Sequence, residues 1–176
     1  MVSRAGMIPP RSVLILALFC GCSPAPDAGS RADARREAAA ADSGFAQVQT
    51  RGHAAMGVDQ YTSTHHFQPL PDGGRIELQR DEADSVGRTR ILEHLAEIAA
   101  AFGAGDFTVP GFVHAREVPG TAVMAARRTE IRYVVESLPR GGALRLTTKD
   151  SSALAAIHAF LAFQRQDHRT EAHHEE

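Results

Sequence analysis

Leu70-Pro71-Asp72-Gly73-Gly74-Arg75-Ile76-Glu77-Leu78 returns almost unchanged as Leu138-Pro139-Arg140-Gly141-Gly142-Ala143-Leu144-Arg145-Leu146. Pro presets the backbone for the first corner of a turn, and Gly accepts the tight conformations that follow. Pro-x-Gly-Gly between alternating apolar residues is therefore hairpin chemistry. Superposing Gly73 on Gly141 gives an offset of 141 − 73 = 68 residues. The segments around each copy then fall into the same order.

Tyr61 to Gln68 is rich in Thr, His and aromatic residues and reads as a strand, with Arg75 to Arg80 as its hairpin partner. Asp84 or Ser85 is placed to cap a helix whose apolar positions are Ile91, Leu92, Leu95, Ile98 and Phe102, with Gly103 as its stop. In the second copy Ile131 to Glu136 alternates, the turn leads to Leu144 and Leu146, and Asp150 or Ser151 caps a helix. That helix carries Leu154, Ile157, Phe160, Leu161 and Phe163. The order predicts an α+β fold: a four-stranded antiparallel sheet from a ββα-ββα repeat, with two helices on one face. The units span 61–103 and 129–168 of a single domain over 58–168. A chance recurrence of common turn chemistry, in an unrelated α+β order, is the alternative. If the lead-in to the first helix is four residues longer, His94 falls opposite His158.

The connector 104–128 has no counterpart. It holds Asp106, Phe107, Phe112, His114 and Met124 and is too long for a plain loop, so a short helix is expected around Thr121 to Ala126. A symmetric fold has room for a ligand or partner surface there.

The balance of 43% hydrophobic and 23% charged residues over 176 positions is that of a soluble globular protein. A net charge of −2 gives no basic footprint, so nucleic acid is not an expected partner.

At the N-terminus, Arg4 and Arg11 precede the apolar run Val13 to Phe19, which is shorter than the roughly 20 residues of a membrane span. Leu18-Phe19-Cys20-Gly21-Cys22-Ser23 resembles the lipobox of bacterial lipoprotein signal peptides, with Phe19 where Leu is usual. The resemblance implies a signal peptide over 1–21, lipidation of Cys22 and a periplasm-facing protein anchored in the membrane by acyl chains. Ser23 in place of Asp implies the outer membrane. An ordinary cleaved signal that releases a soluble periplasmic protein is the alternative. Both cysteines lie at this junction, so the body has no disulfide and no thiol nucleophile.

Residues 22–57, rich in Pro, Gly and Ser and then in Ala, Arg and Asp/Glu, read as a flexible tether. Residues 169–176 read as a disordered polar tail.

All nine histidines follow Cys22. If Phe67 points into the core, alternation turns His65 inward and His66 outward. His94 lies between Ile91 and Ile98, and His158 between Leu154 and Leu161. His65, His94 and His158 would then converge as a set suited to copper or zinc, with Met56, His114 or Met124 as further ligands. The bland alternative is that each is a core histidine bonded to a carbonyl or carboxylate.

There is no Gly-x-Ser-x-Gly, no His-Glu-x-x-His and no phosphate loop, so catalysis is not expected. Two classes remain: an envelope module that binds a protein or small ligand, and a metal-handling lipoprotein. Thr64-His65-His66-Phe67 with Gly105-Asp106-Phe107 resembles small exported bacterial proteins of unknown function, a similarity that implies no site.

Overall fold

Each Pro-x-Gly-Gly segment closes a hairpin: β1 (Ser63–Leu70) with β2 (Gly73–Arg80), and β3 (Ile131–Leu138) with β4 (Gly141–Thr148). The structure is a computed structural model and describes residues 28–170. Its four strands form one antiparallel sheet in the order β1-β2-β4-β3. At the centre, β2 pairs with β4 so that Ile76 faces Leu144, its own counterpart at 144 − 76 = 68 residues. The repeat is thus expressed as an approximate two-fold through that pair.

Five helices accompany the sheet: α1 (Ala28–Met56), α2 (Ser85–Ala104), α3 (Thr108–His114), α4 (Thr121–Ala126) and α5 (Ser151–Asp167). The chain divides into two compact units, Met1–Arg36 and Glu37–Glu176. Of the first, only the start of α1 lies among the described residues; the sheet and the other helices belong to the second. The signal peptide, Cys22 and residues 171–176 lie outside the described residues.

The main helices start where expected. Asp84 caps α2 by accepting from the Gly87 N–H at 2.9 Å, and Asp150 caps α5 by accepting from Ala153 N–H at 2.8 Å. Gly103 is not the stop of α2. The helix runs on to Ala104 and ends at Gly105, whose φ of 85° provides the left-handed C-cap.

Each helix covers the hairpin of the other repeat. α5 lies mainly against β1 and β2, and α2 mainly against β3 and β4. The second glycine of each turn permits this crossing. A Cβ on Gly74 would lie 2.2 Å from Leu161 Cδ1, and one on Gly142 would lie 2.7 Å from Leu92 Cδ2. Ile91, Leu144, Leu146, Ile157 and Leu161 are fully buried between sheet and helices. The opposite face is polar: Arg75 pairs with Glu77 and Glu136, and Arg145 pairs with Asp72.

The tether expectation is corrected from Ala28 onward, where the chain is helical. Its Ala, Arg and Glu content favours helix, and Phe45, Val48, Gln49, Gly52, Ala55 and Met56 form a stripe at three- and four-residue spacing. Arg51 Nε donates to the Val113 carbonyl at 2.6 Å, tying α1 to α3. In the connector, the helix around Thr121 to Ala126 is present as α4, and α3 is additional.

Candidate functional site

The helix caps set the correspondence between the repeats. Asp84 and Asp150 differ by 150 − 84 = 66 residues, so the lead-in to α2 is two residues longer than that to α5, not four. His158 therefore corresponds to Leu92, and His94 corresponds to Phe160. By the same offset Phe102 corresponds to His168, while the strand offset of 68 makes Tyr133 the counterpart of His65.

In one half these positions hold an aromatic cluster. Phe102 meets Tyr133 and Phe160 edge-on with ring centroids 5.9 Å apart in each case, and Phe107 stacks on Phe102 at 4.3 Å. In the other half the same three positions are histidines. His65 on β1 and His168, the C-cap of α5, lie with ring centroids 5.1 Å apart. His65 also stacks on Phe67 at 5.8 Å.

The histidine half surrounds an open cavity of about 100 Å³. His65, His94, His114 and His168 all line it, from β1, α2, α3 and the end of α5. Phe67, Ile98, Phe102, Val113 and Phe160 supply apolar walls, and Gly52, Ala55 and Met56 of α1 complete it. The connector contributes one wall through α3.

Burial governs the chemistry of these rings. It lowers the pKa of His65 to about 4, with His66 and His94 adding to the effect. It lowers that of His168 to about 3, reinforced by His65 and His114 and opposed by Asp167. His94 is also lowered by burial, against the pull of Glu97. Among the described residues, no hydrogen-bond partner engages the ring nitrogens of these three side chains. Neutral imidazoles therefore present free donors and acceptors to a largely apolar space.

His114 differs. Its Nδ1–H donates to the Asp167 carboxylate and its Nε2 faces the Gln164 amide at 2.9 Å, while Arg116 pairs with Asp167 at 2.6 Å. The ring is held as part of the wall. His158 is not in the cavity at all: its Nε2 lies 2.9 Å from the Leu70 carbonyl and 3.0 Å from that of Gly73. That closes the first turn as Arg88 does the second, donating from Nε to Leu138 O at 2.9 Å. His158 is thus the carbonyl-bonded histidine of the bland alternative.

The other connector residues have local roles. Asp106 accepts from the Thr108 N–H at 2.8 Å and from its hydroxyl at 2.6 Å, interactions that lower its pKa, the hydroxyl bond first. Phe107 belongs to the aromatic cluster and is half-buried, and Met124 is fully buried. Asp106 and Phe112 are exposed. Sequence reasoning missed His168. The stripe Ile157, Leu161, Gln164, His168 would have located it, had it been followed to its end.

Among the described residues, no group of three or more His, Cys, Asp or Glu side chains is arranged to hold a metal ion. No described helix is long and apolar enough to cross a membrane. No family model, curated protein or solved structure matches the chain.

Proposed function

We propose that this chain is a lipid-anchored binding module of the bacterial cell envelope. It is held through Cys22 at the outer membrane, faces the periplasm and acts by binding a small ligand rather than by catalysis. The observation that carries the binding reading is the cavity lined by His65, His94 and His168, whose ring nitrogens have no hydrogen-bond partner among the described residues. The lipobox-like run Leu18 to Cys22 supports the anchor.

Labelling with a clickable fatty acid tests the anchor. The wild-type chain is expected in the membrane fraction with label, and Cys22→Ser is expected to lose the label. An unlabelled, soluble wild type would overturn this part. Native mass spectrometry of the chain purified from the envelope tests binding: a small adduct of constant mass, lost in His65→Phe, is expected. Only the mass of the bare chain would count against it.

A copper- or zinc-binding role is the second reading. It is favoured by the meeting of His65, His94 and His168 with Met56 in one cavity, and opposed by the arrangement of the side chains, which forms no metal group. Equilibrium dialysis with Cu(II) and Zn(II) decides it; stoichiometric uptake lost in His65→Phe, His94→Phe would favour this reading over the first.

A further inference from the structure

The inner face holds two sets of corresponding rings. Tyr133, Phe102 and Phe160 are six-membered rings in edge contact, and Phe102 and Phe160 also form part of the cavity wall. At the corresponding positions His65, His168 and His94 are smaller five-membered rings, and a cavity remains beside them. Each exchange reduces volume and adds two ring nitrogens. The three histidines face one space, from three separate elements.

Resting on the reading of this domain as a binding module, we propose that the cavity takes one small uncharged aromatic molecule bearing a hydroxyl group. Its ring lies against His65, Phe67 and His168, and its hydroxyl hydrogen-bonds an imidazole nitrogen. Size is the first argument. An apolar cavity of about 150 Å³ accepts a benzene ring, so a space of about 100 Å³ is on the scale of one ring. Shape is the second. His65 stacks on Phe67 with an interplanar angle of 8° and on His168 at 29°, so one wall of the cavity is an array of flat rings. A flat ring adds to such an array by edge-to-face or offset contact.

Charge is the third argument. No carboxylate, ammonium or guanidinium lines the cavity. A cationic ligand would find no counter-charge, and an anionic one would require a proton on rings that burial keeps neutral. The hydroxyl follows from the ring nitrogens. A wholly apolar ligand would displace water from them and return nothing, which lowers its affinity, whereas a hydroxyl both donates and accepts.

Calorimetry on the full chain carrying Cys22→Ser, which removes the lipidation site, tests this with phenol, toluene, benzoate, Cu(II) and Zn(II). Phenol is expected to bind once per chain, at least tenfold more tightly than toluene or benzoate. The double variant His65→Phe, His168→Phe keeps flat rings in place and is expected to lose at least tenfold in phenol affinity. His94→Phe provides a milder variant, and circular dichroism checks that each is folded. Toluene equal to phenol, benzoate tighter than phenol, or phenol affinity unchanged in both variants would overturn the ligand class. Binding of a metal with none of the aromatics would also overturn it, while leaving the binding reading in place. Failure of every probe to bind would overturn both.

Discussion

His65 and His168 lie ring to ring, 5.1 Å between centroids, at the positions that correspond to Tyr133 and Phe102 in the other half of the sheet. The same approximate two-fold thus relates a polar pair, both of whose rings line the cavity, to an aromatic pair of which only Phe102 does. Both halves keep the β-strand position and the helix position, and only the ring chemistry differs. Four consequences can be measured.

Stability should depend on pH through these imidazoles. His65 and His168 have folded-state pKa values lowered to about 4 and about 3, against 6.5 for an unperturbed ring. Below pH 6.5 the unfolded chain takes up protons that the folded chain refuses, so stability is full above that value and falls as pH drops towards 4. His66, His94 and His114 oppose protonation nearby, and Asp167 favours it at His168. Each pKa unit corresponds to about 1.4 kcal/mol, so a loss of at least about 2 kcal/mol is expected between pH 7.5 and 4.5. Urea unfolding at a series of pH values checks this. The double variant His65→Phe, His168→Phe should give a flatter profile.

His158→Leu installs the residue of the corresponding position, Leu92. It removes the only side-chain contact to the carbonyls of Leu70 and Gly73 among the described residues. A cost of about 1–2 kcal/mol is expected, with no change in ligand binding. Chemical denaturation and the phenol titration read the two effects separately.

Tyr133→Phe should be neutral or stabilising by up to about 1 kcal/mol. The Tyr133 hydroxyl is buried with no hydrogen-bond partner among the described residues, and burial raises its pKa. Removing a desolvated polar atom while keeping the ring relieves that penalty. A lower urea midpoint for the variant would contradict the expectation.

Gly120→Ala should destabilise by about 3 kcal/mol or more. Gly120 precedes α4 with φ at 86°, and a Cβ there would lie 2.2 Å from the Ala156 carbonyl oxygen. Backbone would have to move on α4 or α5, and a left-handed Ala adds its own strain. A thermal scan against wild type checks this.

The hairpins and the two long helices were legible because a duplicated turn set the register and the Asp caps set the helix starts. The pairing of the histidines was not, since it depended on loop length. Two extra residues before α2, rather than four, moved the counterpart of His158 from His94 to Leu92. The helical character of residues 28–56 was hidden by small side chains: Gly52 and Ala55 fit against the domain without looking apolar enough to bury a face. Pro110-Gly111 disguised α3, although Pro is tolerated in a first helical turn. Of the cavity rings, His65 and His94 were expected to point inward and do line it, whereas His168, the last residue of the expected domain, was not singled out.

The exchange of helices between repeats also fixes the order in which the chain can assemble. His158 reaches Leu70 across 88 residues, and Leu161 reaches Gly74 across 161 − 74 = 87. A chain emerging N-terminus first would present β1 and β2 without most of their cover until α5 arrived. Such long-range closure is the slow kind, because loop entropy is lost before the contacts that offset it form. The first hairpin would stay exposed to chaperones and proteases until α5 had been made.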